Sequence, residues 1–123
     1  MRPASTEQIL RFFFRANGRI SRREYALGLI FLQAINAALL TIVLNAEELT
    51  PEQLLPIVVI SLPLTIALAV IMAKRCHDIG LPGSFFLLAL VPVVGLFWPI
   101  ALAFLAGNPT ANAYGPPPAF ASE

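Results

Sequence analysis

The 123-residue sequence has one cysteine, one histidine and one tryptophan, and only 12% of its residues are charged. The single cysteine excludes an internal disulfide. With Cys76 and His77 adjacent and no second copy of either, a four-ligand zinc site within one chain has too few donors. Neighbouring side chains at i and i+1 point apart, so Cys76 and His77 make no ready nucleophile–base pair. No catalytic residue, metal ligand or cofactor is therefore expected. The low charge, about half that of a soluble domain, gives no basic patch for nucleic acid. Positive charge is also missing from whole stretches. None of the eight Lys and Arg lies between Tyr25 and Ala73, nor after Arg75.

Apolar residues fill the gaps. They make up 58% of the chain, more than a soluble fold this small can cover. Three long runs stand out, over residues 25–44, 54–73 and 84–106. Twenty helical residues reach about 30 Å, one hydrocarbon thickness. The first run follows a polar, basic head and no small-residue cleavage site follows it, so it reads as a retained span rather than a signal peptide. The fold class expected is an all-α integral membrane protein, a single membrane domain of three transmembrane helices.

Residues 5–15 precede the spans and read as a short interfacial helix. Ser5 and Gln8 fit a capping box, and Ile9, Phe12 and Phe13 share a face. That helix can lie in the headgroup layer or pack against the ends of the spans. Ser21 and Glu24 form a second capping box at the mouth of the first span. Inside that span, Gln33 and Asn36 share a face and are expected to meet other helices rather than lipid. Residues 45–53 read as a loop with three glutamates. Pro56 suits a first turn, and Pro63 is expected to kink the second span. Residues 74–80, KRCHDIG, read as the next loop. The third run contains Pro92, Gly95 and Pro99 and is expected to be one broken span, the alternative being two half-length pieces that dip in and return. Residues 107–123 form a Pro/Gly/Asn-rich tail.

Arg2, Arg11, Arg15, Arg19, Arg22 and Arg23 lie before the first span, and Lys74 and Arg75 follow the second. A hairpin of two spans brings both groups to one side. This is the positive-inside pattern, with the N-terminus cytoplasmic. Arg19, Arg22, Arg23, Lys74 and Arg75 should then gather with Glu24 and Asp78 in a clasp of ion pairs, for instance Asp78 with Arg22 and Glu24 with Arg75, and His77 hydrogen-bonded within it. Five cations face two carboxylates, so Arg19, Arg22, Arg23, Lys74, Arg75 and His77 are also candidates for an anionic ligand or lipid headgroup.

Four blocks occur in order: NGRISRREY, KRCHDIGLPG, VPVVG and GNPTANAYGPPP. Together they resemble the YhaH-type small bacterial inner-membrane proteins, the domain of unknown function 805. Phe14, Gly18, Arg19, Arg22, Arg23, Glu24 and Tyr25 match its first motif, and Arg75, His77, Asp78, Gly80 and Gly83 its second. Pro92, Gly95, Asn112, Tyr114, Gly115 and Pro118 match the rest, with Asn112, Tyr114 and Gly115 as the tail motif. Ala26 and Phe85 stand where the family has Trp, and Ala113 where it has Arg. The resemblance implies a multi-pass protein of the bacterial inner membrane and no established activity. Two readings follow: a non-enzymatic module that oligomerises or binds lipid or a partner protein, and a small transporter or channel subunit.

Overall fold

A computed structural model describes Pro3 and residues 5–118. Arg2 and the end of the tail, residues 119–123, lie outside the described residues. Among the described residues there is no strand, only an isolated bridge between Asn112 and Gly115. Helix α1 spans Thr6–Phe14, α2 Arg22–Asn45, α3 Pro51–Ile79 and α4 Val94–Phe104, with a 3₁₀ helix over Gly83–Leu90.

Local chemistry sets most of the boundaries. Ser5 and Gln8 close a reciprocal capping box on α1, and Ser21 and Glu24 close one on α2. A third box, Thr50 with Gln53 and Pro51 at the first helical position, starts α3 inside the expected loop. At the other end α3 overruns its expected limit. KRCHDIG is not a loop but the last turns of the helix, which stops only at Gly80. Its left-handed φ of +94° closes a Schellman motif, with Leu81 N donating to Cys76 O. The helix runs on through Pro56 and Pro63. Beside Pro63 lies an apolar groove of about 420 Å³ between α2 and α3, partly covered by Phe13 and Phe14 of α1.

The buried core is small: Ile20, Tyr25, Leu32, Ala67, Ile71, Met72, Cys76 and Leu102. Helices α2 and α3 are long and apolar enough to cross a membrane, yet only 11% of each apolar window is buried. Large apolar side chains such as Ile30 (67% exposed) and Leu62 (58%) stand at the surface instead. A soluble protein buries its apolar helices, and an exposed apolar surface this extensive calls for lipid or protein. Helix α1 packs on both long helices. Lys74 Nζ donates to the carbonyls of Arg11 (3.0 Å) and Phe12 (2.6 Å). These are orphan acceptors in the last turn of α1, where a cation suits the helix dipole.

The third apolar run departs from the expected single span. The 3₁₀ helix and α4 fold back on each other around Val91–Val93, so the break involves Pro92, while Gly95 and Pro99 lie inside α4. The 3₁₀ helix begins with Gly83 against the His77 ring, and α4 ends where Arg75 grips the Leu102 and Leu105 carbonyls. Both ends of the run are therefore at the foot of α3. The physical reason is length: eleven α-helical residues cover about 16 Å, half a bilayer. The tip holds a γ-turn of the rare hand, with Val94 N donating to Pro92 O (2.9 Å) across Val93 at φ +69°.

Candidate functional site

Arg75 and Asp78 sit three residues apart, on one face of the last turns of α3. Arg75 is fully buried. Its Nε donates to Leu102 O (2.8 Å), Nη1 to Ile20 O (3.1 Å) and to Asp78 Oδ2, and Nη2 to Leu105 O. Asp78 is 3% exposed. Its second oxygen accepts from Arg19 Nε (3.0 Å) and lies 3.0 Å from Arg19 Nη2. Arg19 continues into the tail. Its Nη1 donates to Thr110 O (2.9 Å) and Gly115 O (3.1 Å), and its Nη2 to Asn108 O. One carboxylate thus lies between two buried guanidiniums, a net positive charge. Burying charge is costly unless every donor is matched. Here the match is largely made by backbone dipoles. Leu102 and Leu105 belong to the negative C-terminal end of α4, which supplies acceptors that lack helical partners.

The tail is stitched to the same place. Asn108 N donates to Asp78 O (2.7 Å). A Cβ on Gly107 would run into the Asp78 carboxylate, so only glycine lets the chain pass. Asn112 Nδ2 donates to His77 O (2.9 Å), while Asn112 Oδ1 accepts from Tyr114 N (2.9 Å). The Tyr114 ring stacks on His77 at 4.0 Å and 6°. His77 Nδ1 lies 3.0 Å from Gly18 O, which ties α3 to the turn before α2. Gly115 turns with φ +120° and presents its carbonyl to Arg19.

The pairing differs from the sequence expectation. Asp78 pairs with Arg19 and Arg75, not Arg22. The i+3 spacing delivers Asp78 to Arg75, and the left-handed Gly18 turn (φ +93°) directly precedes Arg19. Glu24 caps α2 through Ser21 N (3.2 Å), and Arg75 turns to backbone carbonyls. Arg22 is exposed and reaches Phe104 O (3.4 Å), and Arg23 is also exposed. Lys74 serves α1 and Cys76 faces the core, fully buried. Among the six residues considered for an anion, the N–H groups of Arg19 all point at protein oxygens. Among the described residues no three His, Cys, Asp or Glu gather as metal ligands.

The tail motif therefore meets the second motif directly: Asn112 and Tyr114 on His77, Gly115 on Arg19. What the sequence reading did not supply were Gly107, Asn108 and the carbonyls of Ile20, Leu102 and Leu105. Backbone acceptors carry no residue signature. The one available signal was Gly107-Asn108-Pro109 at the end of an apolar run.

A family model described as a protein of unknown function (DUF805) matches residues 13–116, from just before the Gly18 turn to just past Gly115. No curated protein and no solved structure matches the chain.

Proposed function

The chain belongs to the DUF805 family, and we propose that it is a small non-enzymatic module of the bacterial inner membrane. In this reading α2 and α3 span the bilayer, and the hairpin of the 3₁₀ helix and α4 re-enters from the cytoplasmic side. The clasp locks the hairpin and the tail to the spans. The module then acts by binding, to lipid or to another membrane protein. The observation that carries this reading is the buried Arg19–Asp78–Arg75 cluster. Its guanidiniums hold the chain's own backbone, as a lock does, and offer little to a substrate. The charge distribution supports a cytoplasmic N-terminus: Glu47, Glu48 and Glu52 mark the far loop, and all cations mark the clasp end. Exposed Arg15 and Arg22 at that end suit anionic headgroups, at about 1 kcal/mol each.

Accumulation in membranes tests the lock. Asp78→Ala should lower the protein level and its thermal stability strongly, and Arg22→Ala should leave both near wild type. Equal effects would remove the lock from the proposal. A second reading, a transporter or channel subunit, draws on the half-length hairpin with non-helical backbone at mid-depth. Protein-dependent flux of an ion or solute into proteoliposomes would establish it in place of the binding module. Within 26–44, 54–73 and 83–105 there is no charged residue, which favours the module.

A further inference from the structure

Polar side chains on the long helices fall into two groups. The short ones close on their own backbone. Thr41 donates to Ala37 O (2.8 Å), Asn45 to Thr41 O (2.9 Å), Ser61 to Val58 O (2.9 Å) and Thr65 to Ser61 O (2.9 Å). The amides of Gln33 and Asn36 do not. Asn36 Nδ2 reaches only Gln33 Oε1, at 3.4 Å. Both N–H groups of Gln33 and the carbonyl of Asn36 find no partner among the described residues, and Gln33 is exposed. Gln33 lies about 16 Å along α2 from Arg22, near the helix middle. In hydrocarbon, unpaired amides at that depth are costly.

The hairpin tip adds a second, separate observation. Val91, Pro92 and Val93 are non-helical, and Val91 and Val93 are 42% and 69% exposed. Non-helical backbone at membrane depth is tolerated only where protein or a water-filled cavity covers it. The two features lie side by side. Arg22 meets Phe104 O, and Tyr25 OH donates to Pro99 O (2.7 Å), so α4 rises along α2 from a common foot. Ten residues of rise, about 15 Å, bring the start of α4 level with Gln33. At 100° per residue, Arg22, Gln33 and Asn36 fall within about 60° of one another. The amides thus emerge on the flank of α2 that α4 covers lower down, just where α4 stops.

We infer that this mid-membrane ledge, Gln33 and Asn36 above the Val91–Val93 tip, docks a second copy of the chain. The surplus is self-complementary: Gln33 has donors to give and Asn36 an acceptor. Across a two-fold axis along the membrane normal, Gln33 of each copy meets Asn36 of the other, the reciprocal contact that a symmetric dimer requires. Exposed Ala37, beside Gln33, lets the two helices approach closely. This inference rests on the reading of α2 as a membrane span.

Single cysteines test it in the full-length chain, with Cys76→Ala as background. One is placed at Ala37, on the proposed face, and one at Ile42, exposed but about 140° away around α2. On oxidation of native membranes, Ala37→Cys should form at least tenfold more disulfide-linked dimer than Ile42→Cys. Adding Gln33→Leu with Asn36→Leu should bring Ala37→Cys down to the Ile42→Cys level. Equal cross-linking at both positions, or none lost in the double variant, overturns the inference. A water-soluble maleimide separates the failures. If both cysteines label, α2 is not a span and the underlying reading falls too. If neither labels and neither cross-links, the span stands and the dimer falls. Labelling of Ala37→Cys alone assigns the ledge to a water-filled path. Should the background fail to accumulate, native mass spectrometry of the unsubstituted protein in lipid nanodiscs decides: a dimer is expected, and a monomer overturns the inference.

Discussion

At the scale of the residue, Asp78 is the pivot. It is the carboxylate between two guanidiniums, so removing it leaves uncompensated charge in a buried site. Asp78→Asn should cost about 3–5 kcal/mol, the range for breaking a buried pair, measured as a fall in thermal midpoint. Arg75→Lys should fail to rescue, because one ammonium cannot reach carbonyls from Ile20 to Leu105 as the planar fork does. Gly107→Ala should destabilise as well, by pressing a methyl group on the Asp78 carboxylate. Gly115→Ala should do so through backbone strain at φ +120°, since no atom lies within 4 Å of its added Cβ. The sequence disclosed which charged residues gather here, since hydropathy places them all at one membrane face. It could not disclose the pairing. That depends on the Gly18 turn before Arg19 and on carbonyls that any residue type provides.

Among the elements, the starts of helices were the most legible. Ser5/Gln8 and Ser21/Glu24 follow a local rule, and each box closes as read. Thr50/Gln53 follows the same rule but was read as loop, because Glu47, Glu48 and Glu52 made the stretch look uniformly polar. The hairpin was the hardest element. An apolar run of 23 residues has the same composition whether it crosses or returns. Only the contacts at its two ends distinguish the outcomes. Its turn stores strain, because Val93 is β-branched and sits at positive φ. Val93→Gly should therefore raise the thermal midpoint, by an amount equivalent to about 1–3 kcal/mol. A lowered midpoint would mean that the Val93 side chain contributes more than its backbone costs.

For the whole molecule, the hairpin decides the side of the tail. Three full crossings would put the tail opposite the N-terminus. A returning hairpin puts both on one face. Cysteines at Asn17, Glu48 and Ala113, all exposed, should distinguish these. An impermeant maleimide applied to intact spheroplasts should label Glu48→Cys only. Labelling of Ala113→Cys from outside would restore the third crossing. Native Cys76 cannot report, since it is fully buried and should label only after denaturation. The positive-inside pattern was silent on the tail because the tail contains no Lys or Arg, so charge counting returns no vote.

The reach of Arg19 also has a consequence in time. Its carbonyl partners at Thr110 and Gly115 come 91 and 96 residues later in the chain. At about 5–20 residues per second, a ribosome needs several seconds to make that stretch. Throughout that interval Arg19 waits at the membrane face without its last acceptors. The lock can engage only when synthesis has passed Gly115, which makes it a check on completeness. A chain stopped before Thr110 would carry two finished spans and an unlocked hairpin, and pulse-chase labelling should show it degraded faster than the complete protein.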